Sequence, residues 1–335
     1  MPDFGFPAQP RQASMTSIIA DLRRRADDER VAAVTGRFAD VTSEVDGRVN
    51  ELMQIEKSIS DLQTYGEAIA LSETRAGVMQ QALGAIGAVG QSLADTTSVL
   101  LTNATDQDLE NVSIQARGEI GTIVAALNAD LGGRSLFGGD DSASPALADA
   151  DTIFTGSVPF LEGATGPGAA YAALEAEFVN PGGLFDTTFY QGGAGNAPLT
   201  EVAPGERVDY GVKADEDPMR RVILNVVVLA AAFDKSNGIV PDQRRDLIAR
   251  ASDELRTSLS QLTSVEARLG AAEARIANVK ARNIATEASL SISFNEIASA
   301  DTFTAALNLS ELENQLEVAF ATTSRLANLS LANFR

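Results

Sequence analysis

Apolar residues recur every three or four positions over most of this chain, which is the period of an amphipathic helix. In the clearest run, alternating steps of three and four join Ile248, Ala251, Leu255, Ser258, Leu262, Val265, Leu269, Ala272, Ile276 and Val279. No proline follows Pro241. The pattern predicts one helix from 241 to about 297, on the order of 85 Å long at about 1.5 Å per residue.

The N-terminal half contains runs with the same spacing that are able to cover the apolar stripe of this long helix. One run has heptad spacing and consists of Phe38, Val41, Val45, Leu52, Ile55, Ile59 and Leu62. A second run extends from Val78 to Leu100, and a third extends from Val112 to Leu127. Glycines in the second run weaken that helix unless close helix packing uses them.

We therefore predict a mainly α fold, in which N- and C-terminal segments form a long antiparallel helical bundle or coiled coil. Residues 38–133 and 218–298 are its two parts. The side chains predicted to pack within the molecule are those of the heptad run, together with Ile248, Leu255, Leu262, Val265, Leu269, Ile276 and Val279.

Helix breakers concentrate between residues 134 and 217, which hold 13 of the 27 glycines and 6 of the 11 prolines. This window also has 14 acidic residues against 3 basic ones. Short β-branched pieces alternate with turn residues, and the best strand candidates are DTIFTG, FDTTFYQG and RVDYGV. We predict a small, acidic, β-rich domain inserted at 134–217. Helix resumes at Asp217-Pro218, and the apolar run RRVILNVVVLAAAF is predicted to be a buried helix.

A last amphipathic helix is predicted after the break at 299–301, so 299–335 forms a C-terminal segment. Its apolar positions include Leu309, Leu312, Leu316, Phe320, Leu326, Leu329, Leu331 and Phe334. Residues 1–37 contain few apolar side chains that are able to cover them, and this N-terminal segment is predicted to be partly disordered. We therefore predict that these eight residues contact neighbouring subunits.

Composition excludes several classes of function. The net charge of -20 would repel nucleic acid and anionic membranes, so neither is expected as a partner. The chain has no Cys and no His, which rules out disulfides, thiolate catalysis and His-based acid–base chemistry. No apolar stretch approaches the ~18 residues of a membrane-spanning helix, and MPDFGFPAQPRQAS has no apolar core of a cleaved signal peptide. We expect no enzyme activity, no cofactor and no metal site.

Three candidate sites have simpler interpretations. The group Asp140, Asp141, Asp149 and Asp151 does not match the spacing of a calcium-binding loop, so a solvated loop is predicted there. The acidic residues 215–217 precede Pro218 and are explained by capping and by the helix dipole. The segment QGGAGN has no following Lys-Ser/Thr, so a turn is predicted instead of a phosphate loop.

The C-terminal residues SVEARLGAAEARIANVKARN and SFNEIASADTFTAALNLSELENQLEVAFATTSRLANLSLANFR resemble the C-terminal region of the flagellin superfamily. Thr35-Gly36-Arg37 looks like the small-Gly-Arg step after the first helix of that superfamily. Ser135 to Gly139 resembles the aromatic-Gly-Gly turn that leads into its variable domain. The resemblance spans about 15–140 and 218–335. Phe38 to Thr42 departs from the usual Asp-Asp-Ala-type segment.

The resemblance implies a structural subunit of the bacterial flagellum. The ELENQLEVAF segment favours the hook-associated branch, which joins hook to filament, over filament flagellin. A coiled-coil protein of type III secretion is a further alternative. The implied location is extracellular, at the hook–filament junction after export through the flagellar type III apparatus. The implied partners are a neighbouring hook-associated protein, flagellin, other copies of this chain in a ring, and an export chaperone on the C-terminal helix.

Overall fold

A computed structural model describes residues 9–40, 48–103, 105–162, 166–196, 199–232, 239 and 241–332. Contacts within the chain divide it into two compact units, which are residues 1–63 with 284–335, and residues 64–283. Both boundaries fall inside long helices, namely α2 (Val49–Asn103) and α7 (Pro241–Ala298). Over the described residues the fold is mainly α with two small antiparallel hairpins, which confirms the predicted fold class.

The first unit contains α1 (Gln9–Thr35), the start of α2, the end of α7, and α8 (Thr302–Ala332). Helix α1 ends at Gly36, whose φ of 69° is a left-handed conformation that costs glycine little. Leu52 and Ile55 of α2 form a small core with Ile297 and Ala298 of α7. Residues near the start of α2 contact residues near the end of α7, so the two helices run antiparallel here.

The second unit holds the larger core. Its elements are the rest of α2, then α3 (Asp106–Leu127), β1 (Asp130–Leu131), β2 (Arg134–Ser135), α4 (Ala150–Glu162), α5 (Pro167–Val179), a π-helical turn (Phe185–Phe189), β3 (Thr200–Ala203), β4 (Glu206–Val208), α6 (Asp217–Ala231) and the first part of α7. Helix α6 packs against α3, α4 and α5, and is buried on nearly all sides, as its apolar run predicts.

Three buried polar side chains of this core are hydrogen-bonded. The Tyr171 hydroxyl donates to Asn225 Oδ1 over 2.8 Å, and Asn225 Nδ2 donates to the Arg221 carbonyl at 2.8 Å. Ser113 Oγ donates to the Leu229 carbonyl at 2.6 Å. Because a buried polar group without a partner costs about 1–3 kcal/mol, these bonds keep α6 compatible with an apolar core.

The hairpin β3–β4 lies on α2 and α7 within the second unit. Val202 and Val208 form a core with Ile69 of α2 and with Ile276 and Val279 of α7. At its edges, Asn283 Nδ2 donates to the Val202 carbonyl at 2.9 Å, and Glu206 accepts from Arg275 and Arg282. The hairpin therefore joins the two long helices through both apolar and ionic contacts.

The structure corrects several local expectations from the sequence. DTIFTG lies in helix α4 and FDTTFYQG contains the π-helical turn, so two of the three strand predictions are wrong, whereas RVDYGV contributes to β4. Segment 134–217 is thus partly helical, and part of it packs in the same core as α3 and α6. The division of the chain into four segments at 37/38, 133/134, 217/218 and 298/299 stays a prediction.

Helix boundaries also differ from expectation. The first and second N-terminal runs form one continuous helix, α2, from Val49 onwards. A Cβ on Gly90 would lie 2.7 Å from Leu259 Cδ2, so this glycine permits a close helix approach, whereas Gly84 has nothing within 4 Å. Helix α6 begins at Asp217, with Glu216 of the acidic group 215–217 at the capping position.

Candidate assembly surface

The first and last helices of the first unit pack along each other. Leu22 and Ala26 of α1 form a cluster with Leu312 of α8, and Leu309, Leu316 and Ala319 are partly buried against it. The expectation that the N-terminal segment lacks apolar cover for α8 is therefore wrong for this face. One leucine and one alanine on α1 suffice to cover this face of α8.

Polar contacts border this helix pair. Asn308 Nδ2 donates to Glu29 Oε1 at 3.0 Å, and the Arg30 guanidinium lies 3.4 Å from Glu313 Oε1. The Arg23 guanidinium lies 5.0 Å from the centre of the Phe320 ring, a cation–π contact that leaves the ring 44% exposed. These contacts are solvent-exposed, so they contribute little stability individually but favour one register of α1 on α8.

Main-chain hydrogen bonds join the two segments that connect these helices to the rest of the first unit. Arg37 and Ser299 form an antiparallel bridge. In this bridge the Phe38 amide donates to the Ala298 carbonyl at 3.2 Å, and the Ala300 amide donates to the Gly36 carbonyl at 2.9 Å. The end of α1 and the start of α8 are thereby held side by side.

Asp301 caps the start of α8. Its carboxylate accepts from the Phe303 amide at 3.0 Å and from the Thr304 hydroxyl at 2.6 Å. The hydrogen bonds from Thr304 and from the Phe303 amide hold the pKa of Asp301 below its ordinary value. Asp301 therefore stays ionised under ordinary conditions, and its charge suits the positive end of the helix dipole.

The face of α8 opposite Leu312 is exposed and carries three large apolar side chains. Phe303, Leu307 and Val318 are 72%, 56% and 65% exposed. At about 100° per residue they fall within about 60° of one another, and Phe303 points about 180° away from Leu312. We call these three residues the outer stripe. Solvated apolar side chains aligned along one helix face are typical of a surface that binds another protein.

The outer stripe was missed by sequence reasoning, which followed the longer seam at 309, 312 and 316. Leu312 of that seam is buried and Leu309 and Leu316 are half-buried within the chain, while Phe320 is partly exposed. Only the backbone is described at Leu326, Leu329 and Leu331, and Phe334 lies outside the described residues. Intermolecular contact by these eight residues stays a prediction. The spacing of four between Phe303 and Leu307 was the available signal for the outer stripe.

Most residues predicted to pack inside the molecule lie in its interior. Those buried are Leu52, Ile55, Ile248, Leu255, Leu262, Val265, Leu269, Ile276 and Val279. Phe38, Ile59 and Leu62 are half-buried, and Val41 and Val45 lie outside the described residues. The two halves of the seam fall in different units, since Leu52 and Ile55 belong to the first and 248–279 to the second.

The acidic groups singled out in the sequence serve local structure. Asp149 accepts from the Thr152 amide and hydroxyl at 2.8 Å, which caps α4 and holds the pKa of Asp149 below its ordinary value. Asp140 accepts from the Gly195 amide, and Glu216 pairs with Arg268. Within the described ranges, no three acidic side chains are grouped closely enough to hold a metal ion. The glycines of QGGAGN wrap around Asp140 in place of a phosphate.

Comparison with known proteins adds a fold relationship. No protein-family model matches the chain, and no curated protein matches it significantly. A solved structure from Vibrio parahaemolyticus, provisionally assigned as a flagellar hook-associated protein, superposes with a TM-score of 0.51 at 14% identity. The match covers 73% of this chain and 95% of that one. The two chains share a fold. None of the described helices combines the length and hydropathy that crossing a bilayer requires.

Proposed function

We propose that this protein is a structural subunit of the bacterial flagellum that polymerises through its terminal helices. The observation that carries the proposal is the outer stripe, three exposed apolar side chains on a helix whose other face is already covered by α1. The shared fold with the Vibrio protein and the resemblance of residues 15–140 and 218–335 to the flagellin superfamily support it.

Within the flagellum, we place the chain at the junction of hook and filament, as a subunit of the hook-associated protein 3 type. It leaves the cell through the type III apparatus, assembles in a ring with copies of itself, and contacts another hook-associated protein on one side and flagellin on the other. An export chaperone covers α8 before secretion. We expect no enzyme activity, because every group needed for catalysis by Cys or His is missing from the sequence.

The physical basis of assembly is burial of the outer stripe by a neighbouring subunit. Complete burial of a leucine side chain contributes about 1.5–3 kcal/mol, and Leu307 still exposes 56% of its surface. Covering it would therefore contribute about 1–2 kcal/mol per contact. Phe303 and Val318 are more exposed, so three such residues together supply several kcal/mol at each subunit contact.

A pair of leucines provides a matched test. Leu307→Asp places a charge in the outer stripe, whereas Leu199→Asp makes the same change at a leucine of the second unit that is 52% exposed. We expect Leu307→Asp to abolish polymerisation in solution and motility in cells, with a melting temperature within about 1 °C of wild type because the side chain is already solvated. Leu199→Asp should assemble normally.

Two results would count against the proposal. Normal assembly and motility of Leu307→Asp would show that the outer stripe makes no subunit contact. A large loss of melting temperature in the same variant would show that the residue belongs to the core. Electron microscopy with a labelled antibody then locates the protein, since a signal along the whole filament would identify a flagellin instead of a junction subunit.

A further inference from the structure

A pocket in the second unit gathers cationic and hydroxyl side chains. It lies between α2 and the segments that follow β2 and β4, with a volume of about 140 Å³. Arg75 comes from α2, Arg134 and Ser135 from β2, and Tyr210 from the segment after β4. Ser142 and the backbone of Gly139, which has a φ of 67°, complete the wall that matters here.

Neither arginine is neutralised by a carboxylate. Over the described residues, Arg75 forms no ion pair with an acidic side chain and hydrogen-bonds the Tyr210 side chain instead. The backbone of Arg134 pairs with Leu131 in the β1–β2 hairpin, while its side chain forms neither an ion pair nor a hydrogen bond with those residues. This is unusual in a chain with 46 acidic and 26 basic residues, where carboxylates are in excess. Two guanidinium groups without a carboxylate partner at one pocket raise the local potential for a negative charge.

Polar atoms of the pocket wall lack partners as well. Arg75 Nε and Ser135 Oγ are both buried without any hydrogen bond inside the described chain. A buried donor without an acceptor is costly, so natural structures rarely leave one unless a water or an ion completes the site. Arg75 and Ser135 both line the same small pocket, which indicates a shared acceptor.

The pocket has room for that acceptor. A single water needs roughly 10–15 Å³ of comparable space, so about 140 Å³ accommodates a tetrahedral ion. Asp140 also lines the pocket, but its Oδ1 accepts the Gly195 amide at 2.9 Å and is held by that loop. Two arginines against one aspartate leave the charged lining groups with an excess of one positive charge. An incoming group with several acceptor oxygens and a negative charge matches these features.

We propose that this pocket binds a small free oxyanion, of the size and charge of inorganic phosphate or sulfate. The Arg75 guanidinium donates through its fork, Ser135 donates its hydroxyl, and Arg134 covers the open side. Bound there, the ion would join α2 to β2, since the three ligands come from these two elements.

The test is calorimetric titration of the full-length protein with inorganic phosphate and with sulfate, at an ionic strength held constant with sodium chloride. We expect one site per chain. Arg75→Gln should weaken binding at least about tenfold, because a hydrogen bond to a charged group is equivalent to about one to two powers of ten in affinity. Arg134→Gln should weaken it less, because Arg134 is exposed.

Arg24→Gln is the matched control, since it removes the same charge from an exposed pair with Asp21 in α1. It should bind phosphate as the wild type does. Phosphate should also raise the melting temperature of the wild type and of Arg24→Gln, but not of Arg75→Gln. Circular dichroism checks that each variant is folded, and Arg134→Gln tests the pocket even if Arg75→Gln does not fold.

Three results would overturn the proposal. The first is an absence of saturable binding of either ion by the wild type. The second is an equal effect of phosphate on all three variants, which would show general screening by salt. The third is association between copies of the chain that Arg75→Gln abolishes and phosphate does not alter, because the pocket would then receive a carboxylate of another subunit.

Discussion

Two glycines of α2, six residues apart, allow the packing of the second unit to be tested by adding single methyl groups. Gly84 is exposed, and a Cβ there would meet nothing within 4 Å. Gly90 is buried, and a Cβ there would lie 2.7 Å from Leu259 Cδ2 and 3.3 Å from Leu259 Cδ1. Neither glycine has a strained backbone conformation, so the two sites differ chiefly in the space around them.

Gly84→Ala should stabilise the protein by about 1 kcal/mol, the difference in helix propensity between glycine and alanine. In a unit of 220 residues, from 64 to 283, this corresponds to a rise in melting temperature of about 2–4 °C. At Gly90 the same gain is opposed by overpacking, which costs about 1–3 kcal/mol in a filled interior. Gly90→Ala should therefore leave stability unchanged or lower it by up to about 2 kcal/mol.

The assay is thermal and urea unfolding followed by circular dichroism at 222 nm on the wild type, both single variants and Leu259→Ala. The double variant Gly90→Ala with Leu259→Ala completes the cycle. Removing the leucine tip makes room for the new methyl group, so the double variant should be about 1–2 kcal/mol more stable than the sum of the single effects. Equal stabilisation by both glycine substitutions, or additivity in the cycle, would refute the close contact between α2 and α7.

Other predictions follow from the same contacts. Tyr171→Phe should lower the free energy of unfolding by about 1–3 kcal/mol in urea titrations, since Asn225 Oδ1 loses a buried donor at 2.8 Å; an unchanged urea midpoint would contradict this. Phe189→Ala should cost about 3–5 kcal/mol and lower the melting temperature accordingly, because its ring is fully buried and 5.6 Å from that of Phe178. The Asp301 cap should be intact above the ordinary carboxyl pKa of about 3.9 and be lost as the pH falls through its lower folded value. Amide shifts of Phe303 followed by NMR report this loss, and Asp301→Ala should remove the titration altogether.

The long helices could be predicted from sequence because their signals are repeated many times. The stripe from Ile248 to Val279 has a strict period and no proline, and it forms α7 almost as expected. The break at 299–301 was predictable because Ser299, Ala300 and Asp301 interrupt this otherwise continuous apolar pattern. In such elements local propensity and burial favour the same structure.

The middle of the chain was harder to predict because its elements are short and depend on tertiary contacts. FDTTFYQG alternates in a way that is typical of strands, yet Phe185 and Phe189 both face the core from a π-helical turn and meet Phe178. Pro159 lies inside α4, where sequence rules predict an interruption. Burial of the three aromatic rings outweighs these local preferences, and no short window of sequence records it.

The sequence predicted which helix carries the candidate assembly surface, but not which face of that helix is exposed. An amphipathic pattern identified α8 as a helix with more apolar surface than one partner covers. It did not show that Leu22 and Ala26 would occupy the side of Leu312 and leave Phe303 exposed. That assignment depends on which side of α8 meets α1, and the contact joins residues almost 300 positions apart in the chain.

The bridge between Arg37 and Ser299 consists of peptide groups alone, and so it is indifferent to which side chains flank it. Evolution can therefore exchange the side chains at 37, 38, 299 and 300 while the two chain ends keep their mutual placement, as long as Gly36 keeps its left-handed backbone and proline avoids positions 38 and 300, which supply the amide donors. An attachment of this kind leaves almost no trace in an alignment, and it is one physical reason why an architecture can persist after its sequence has become unrecognisable.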